Sequence, residues 1–350
     1  MKWMSAGCAV FAAGMICASA SANGATYRYT DLVSFSVATG INEAGTVVGY
    51  SYFSGQSYAA MWSNGTFTNL DPGGASSAAF GINDAGQIVG YVGSRAAVWN
   101  GGVPSYLPTL GNQWGTARAI SNAGDIAGDS LNFVSSYSYA TRWVGGAPTE
   151  LDALSGSNSS FGFGINTARQ VVGNSNSRAT LWNGTTAIDL GTLGGTTSYA
   201  RAINNLGQVV GVSAAHAVMW SGTSIVDLAP LDGLVASSAF DINDAGVVVG
   251  TRASAGGHGA DHATVWNGTV AADLNLLLED PIPGIGWTLT DARAINNKGW
   301  IVGMASNEAL GLQRAYLLTP VPEPATSALA MVGLLYLIVR ARRGTKKVAA

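Results

Sequence analysis

The sequence predicts an all-β fold, a seven-bladed β-propeller of four-stranded blades closed by its own N-terminal strand. Three observations predict it. The composition is turn-dense, with 47 Gly in 350 residues, 47% hydrophobic and 11% charged, too apolar for a disordered chain and too glycine-rich for a helical one. One motif recurs seven times along the chain. The last recurrence lacks a strand that stands spare before the first.

The recurring segment is GINEAGTVVGY at 40, GINDAGQIVGY at 81, AISNAGDIAGD at 119, GINTARQVVGN at 164, AINNLGQVVGV at 202, DINDAGVVVGT at 241 and AINNKGWIVGM at 294. Its Ile residues, 41, 82, 120, 165, 203, 242 and 295, are spaced by 41, 38, 45, 38, 39 and 53 residues, the period of a small β unit in tandem. A second landmark is Ala-x-x-Trp, with Trp at 62, 99, 143, 182, 220 and 266, then a Gly turn and a run ending in Leu. Each unit thus reads as a first strand ending at Ile-Asn, a tight turn, a Val-Val strand, a loop, an Ala-x-x-Trp strand, a second turn and a last strand ending in Asp-Leu. Gly at 45, 86, 124, 207, 246 and 299 suits a left-handed backbone after a type I turn, and Arg169 alone breaks that slot.

The seventh unit ends with Ala315-Tyr316-Leu317-Leu318 in the Trp strand. The form of its missing last strand is carried by Tyr27-Arg28-Tyr29-Thr30-Asp31-Leu32. Pairing the two removes both exposed edges and closes a ring over residues 25–319. The alternative, an open β-repeat array, needs two polar caps that the sequence does not supply.

Both ends read as addresses. Lys2, an apolar run from about Ala6 to Ala18 and the small residues Ala20-Ser21-Ala22 form a secretory signal over residues 1–22, too short to span a membrane. Both cysteines, Cys8 and Cys17, lie inside it, so the mature domain at 23–319 carries none. At the other end, residues 320–350 comprise Pro322-Glu323-Pro324, an apolar segment at about 325–339 expected to form a short transmembrane helix, and a basic anchor of Arg340, Arg342 and Arg343. This triplet resembles the PEP-CTERM sorting signal of Gram-negative bacteria. The resemblance implies an exosortase as processing partner, membrane association before cleavage, and export in species that build exopolysaccharide and biofilms. The repeats, through Ala79-Phe80-Gly81-Ile82-Asn83, His216-Ala217-Val218-Met219-Trp220 and Asp189-Leu190-Gly191-Thr192-Leu193-Gly194-Gly195, resemble the HAF family of extracellular repeats, a likeness that implies fold and location and brings no activity with it.

Residues 23–319 hold 11 Lys and Arg against 19 Asp and Glu, a mildly acidic body without a basic patch, which argues against nucleic-acid partners. Periodicity sorts the candidate sites, because a residue filling the same slot in several units is structural. Four positions before each Trp, or its seventh-unit equivalent, stand Tyr58, Arg95, Tyr139, Arg178, His216, His262 and Arg314. His216 and His262 are therefore ordinary occupants of a polar slot. Arg118, Arg201 and Arg293 share another slot with Phe80, Phe163 and Phe240, two before the Ile, and read as guanidiniums stacking between blades rather than as an anion site. Asp84 and Asp244 read as turn formers. His258, Asp261 and His262 form a weak metal candidate without helical context, so neither a metal nor another cofactor is expected. Nucleophile elbows, phosphate loops and zinc-protease motifs are absent, and the reading is non-catalytic.

Insertions point to one face. From Ile to Trp, or Leu318 in the seventh unit, the distance varies between 17 and 24, whereas Trp to the next Ile holds at 20 to 22 except for 29 after Trp266. The loop between strands two and three and the link between blades emerge together, so these insertions mark a binding face. Aromatic residues decorate it: Tyr52, Phe53, Trp114, Phe133, Tyr137 and Trp287. Such residues stack on sugar rings. The expected function is an exported surface or matrix propeller that binds exopolysaccharide or a protein partner there; the alternative is a glycosidase or lyase on the same scaffold, with carboxylates from different blades converging at the channel.

Overall fold

A computed structural model describes residues 25–32, 37–71, 73–132, 134–222, 224–228, 236–253 and 261–321. Arg28–Thr319 form one compact unit. The signal segment 1–22, Phe133, His258, the Pro322-Glu323-Pro324 motif, the apolar segment at 325–339 and Arg340, Arg342 and Arg343 lie outside the described residues.

Strand β1 (Tyr27–Asp31) precedes seven sequential groups. The first blade is β2 (Val37–Ile41), β3 (Val47–Phe53), β4 (Gln56–Ser63) and β5 (Thr66–Asn69), and the second is β6 (Ser77–Ile82), β7 (Ile88–Val92), β8 (Arg95–Trp99) and β9 (Pro104–Tyr106). The third is β10 (Gly111–Ile120), β11 (Ile126–Asn132), β12 (Ser138–Val144) and β13 (Ala147–Glu150). The fourth is β14 (Ser160–Ile165), β15 (Val171–Ser175), β16 (Arg178–Asn183) and β17 (Thr186–Asp189). β18 (Ser198–Ile203), β19 (Gln208–Ser213), β20 (His216–Ser221) and β21 (Ser224–Asp227) make the fifth. β22 (Ser237–Ile242), β23 (Val247–Arg252), β24 (His262–Asn267) and β25 (Val270–Asp273) make the sixth. β26 (Thr288–Ile295), β27 (Ile301–Asn307) and β28 (Leu312–Pro320) pair in the order β1-β28-β27-β26, so the N-terminal strand supplies the outer strand of the seventh blade.

The closure repeats the bonding of the other blades. The N–H of Leu32 donates to Ala315 O at 3.1 Å, as Leu107 does to Ala96 O and Leu190 to Ala179 O, both at 2.9 Å. Leu32 is fully buried with Ala294, Val302 and Leu317 of the seventh blade and Val37, Val47 and Ala60 of the first. Equivalent clusters lie between the other blades, where Trp99, Trp143, Trp182, Trp220 and Trp266 are fully buried against alanines of the neighbouring sheet. Small Ala on the facing strand makes room for the indole, which explains the Ala-x-x-Trp pattern.

Two backbone devices explain the rest of the repeat. The turn slot is left-handed in every unit, with φ of 74° to 82° at its glycines and 63° at Arg169. In each inner pair the register slips by one residue at the slot two before the Ile, between Ala38 and Gly40, Ala79 and Gly81, Ala117 and Ala119, and likewise onward. The inner strand therefore kinks, and its carbonyls at Ala78, Thr116, Phe161, Tyr199, Ser238 and Asp291 press on Gly90, Gly128, Gly173, Gly211, Gly250 and Gly303 of the second strand, leaving no space for a Cβ. Hence the Gly at that place in the second strand of these six units.

Candidate functional site

The same bulge creates the central channel. The extra residue of a bulge is re-aimed; here it lines a cavity of about 390 Å³ formed by Thr39, Phe80, Arg118, Phe163, Arg201, Phe240 and Arg293, one from each blade. Guanidinium and phenyl alternate, so Arg118 lies over Phe163 at 5.1 Å from the ring centre and Arg201 over Phe240 at 5.3 Å. These two show the interblade stacking expected of the slot. Arg293 differs because its neighbour across the blade junction is Thr39; it is held instead by Asp291 of its own strand, with Nη2 to Oδ2 at 2.9 Å.

The channel charges are unevenly matched. Arg118 pairs with Asp129 at 2.8 Å, a carboxyl whose burial pushes it above the usual range while Arg118 pulls the other way. Among the described residues no carboxylate pairs with Arg201. Burial, and then the charge of Arg293, lower its affinity for its proton.

Asp241 replaces the Gly or Ala that precedes the Ile in the other units. Its carboxylate accepts from Ile242 N and, across the junction, from Ile295 N, both at 2.9 Å. Burial outweighs those bonds and pushes its pKa up to about 7.

At the far end of the channel the Ile-Asn turns clasp one another. Asn42 Nδ2 donates to Asn83 O, Asn83 to Ser121 O, Asn166 to Asn204 O, Asn204 to Asn243 O, Asn243 to Asn296 O and Asn296 back to Asn42 O, at 3.0 to 3.2 Å. Asp84 and Asp244 join a second tier, accepting from Glu43 N and Asn205 N at 2.9 Å. Beyond forming turns, they couple blades. The junction between blades three and four, where Ser121 replaces Asn, is bridged by Arg169 to Asp125 at 2.8 Å.

The loops between strands two and three and the links between blades emerge opposite these turns. On that side Tyr52 is 62% exposed, Phe53 73%, Trp114 60% and Tyr137 46%. Trp114 borders a cavity of about 280 Å³ with Tyr91, Asp129 and Ser138. Trp287 is half-buried beneath Arg314, whose guanidinium lies 3.7 Å from its ring.

The polar slot before each Trp pairs with the last strand. Arg178 meets Asp189 at 3.0 Å, His216 Nδ1 meets Asp227 at 2.8 Å, His262 Nδ1 meets Asp273 at 2.6 Å and Arg314 meets Asp31 at 2.6 Å. The last of these latches the closing strand. Burial works against ionisation of Asp273, but bonds from His262, Asn275 and Arg252 outweigh it and hold the carboxyl below its ordinary range. His262 is thus engaged structurally, while Asp261 lies on the rim of a cavity of about 600 Å³ between blades six and seven. Among the described residues no three His, Cys, Asp or Glu side chains gather as a metal site.

No family model and no curated protein matches this chain. Among solved structures, it is similar to the extracellular domain of BT4673 from B. thetaiotaomicron, described as a one component system, with TM-score 0.51 and 9% identity over 84% of this chain and 40% of that one. It is also similar to the β-propeller domain of the Trilobed protease from Pyrococcus furiosus, with TM-score 0.51 and 10% identity over 84% of this chain and 93% of that one. The chain therefore spans less than half of the first and nearly all of the second. At these identities the likeness is one of fold, a β-propeller.

Proposed function

We propose that this protein is an exported, non-catalytic surface or matrix propeller that binds exopolysaccharide through its loop-bearing face. The observation that carries the reading is the exposure of Tyr52, Phe53, Trp114 and Tyr137 on one side of a closed ring, since exposed aromatic faces stack on pyranose rings without needing charge. Engagement of Asp129 by Arg118 and of Asp291 by Arg293 supports a non-catalytic role for these two acids beside the channel arginines. The likeness of the repeats to HAF units and of residues 321–343 to PEP-CTERM signals supports export, membrane attachment through 325–339 and processing by an exosortase. The acidic body supports partners other than nucleic acid, and nothing in the reading calls for a cofactor.

Affinity electrophoresis of the purified protein through gels containing the host's extracted exopolysaccharide tests this. Retardation that disappears when Tyr52, Phe53, Trp114 and Tyr137 are changed to Ala is the expected result. Unretarded wild-type protein would overturn the proposal in favour of a protein partner, and shortening of the polysaccharide would overturn it in favour of a glycosidase or lyase.

A further inference from the structure

We propose that the channel is a subsite for an acidic sugar, with Arg201 receiving its carboxylate. The inference rests on the glycan-binding reading above and gives it a chemical class. Seven bulge residues deliver three guanidiniums and three phenyl rings into one cavity of about 390 Å³, within the ~300–1,000 Å³ range of small-ligand sites. Arg118 and Arg293 have their charges met by Asp129 and Asp291. Arg201 does not, and Asp241, next to the channel-lining Phe240, is turned to the backbone N–H groups of Ile242 and Ile295. Stacking on Phe240 occupies only the flat face of the Arg201 guanidinium, which is exposed to the channel, so its in-plane N–H donors are open to an acceptor on a ligand.

A carboxylate fits that edge as a bidentate acceptor and supplies the charge that the channel lacks. Phe163 and Phe240, each with one face covered by a guanidinium, line the same cavity and give the position apolar walls for the C–H groups of a pyranose. A uronic acid residue combines both parts. The Asn clasp closes around the opposite end of the channel, so the acidic sugar enters from the loop-bearing face, where the exposed aromatics would hold the neighbouring neutral residues.

Calorimetric titration of the purified protein with trigalacturonate, galactotriose and inorganic sulfate tests the assignment, with Arg201→Gln beside the wild type and thermal unfolding as the check on folding. The wild type is expected to prefer trigalacturonate over galactotriose, and Arg201→Gln to lose that preference, about tenfold or more in affinity, the worth of a charged hydrogen-bonded contact. Equal binding of trigalacturonate by Arg201→Gln, or no preference in the wild type, would overturn the proposal. Sulfate binding as tightly as trigalacturonate, in an Arg201-dependent way, would make this a free-anion site and overturn the sugar assignment. Exopolysaccharide retardation that persists in Arg201→Gln while the trigalacturonate preference is absent from both proteins would remove the acidic subsite alone; wild-type protein that binds neither oligosaccharide nor polysaccharide would remove both readings.

Discussion

Asp241→Ala should remove the pH dependence that one carboxyl imposes on the ring. Ala fills the same position as Ala119, Ala202 and Ala294 in three other blades, so the shape of the inner strand tolerates it. The folded-state pKa of Asp241 is raised from an ordinary 3.8 to about 7. Below about pH 4 both folded and unfolded chains hold the proton and the group contributes no pH dependence. Between about pH 4 and 7 the unfolded chain releases its proton while the folded one keeps it, so stability falls as pH rises and stays reduced above 7. At ~1.4 kcal/mol per unit the shift corresponds to roughly 4 kcal/mol. Asp241 is only half-buried, so screening by solvent makes that figure an upper bound. The substitution also removes the bonds to Ile242 and Ile295, worth about 1 kcal/mol each. The variant is therefore expected to be less stable than wild type at pH 4 by about 1–2 kcal/mol and to gain on it steadily, ending more stable at pH 8. Urea unfolding followed by tryptophan fluorescence at pH 4, 5.5, 7 and 8 measures the difference. Parallel stability curves for the two proteins would refute the burial argument.

Three further substitutions probe the junctions. Ser198→Ala leaves the buried N–H of Ala179 without its acceptor and should cost about 1–3 kcal/mol in urea unfolding, against under ~0.5 for exposed Ser105→Ala. At the left-handed turn slot, Arg169→Gly should unfold about 1 kcal/mol less readily than Arg169→Ala, because both lose the Asp125 bridge but only Gly adopts φ near 63° freely. Asn296→Ala cuts the clasp between the last and first blades and should lower the midpoint of thermal unfolding by several degrees, about 1–2 kcal/mol; an unchanged midpoint would mean that the clasp carries no strain of closure.

Much of the ring was legible because each unit repeats its errors and its rules together. The closing strand could be read from Asp31-Leu32, whose form matches Asp189-Leu190, and the structure bonds the two leucines alike. The two histidines could be assigned by slot, since His216 and His262 stand where Arg178 and Arg314 stand, and all four meet an aspartate. The bulge was not read. A one-residue slip leaves no signature at the residue that moves, only the Gly forced opposite it, as at Gly90 facing Ala78. The interblade serines were missed for a related reason: Ser77, Ser160, Ser198 and Ser237 recur five before the Ile, but a hydroxyl is at home in any turn-rich sequence, and its partner lies 18 to 20 residues back across a junction. On the loop-bearing face, sequence spacing selected the aromatics without distinguishing exposed Trp114 from Trp287, which Arg314 covers.

Closure of the ring by residues 28–32 fixes the channel and the face on which every functional inference depends, and the amide exchange of Leu32 tests it most directly. Its N–H bonds to Ala315 O just as those of Leu107 and Leu190 bond within blades two and four. Hydrogen exchange of the native protein should therefore show Leu32 protected to within about tenfold of those two amides, as one cooperative ring requires. Exchange of Leu32 at the rate of an unstructured amide, with Leu107 and Leu190 still protected, would show that the first strand does not hold the last blade and that the ring is open.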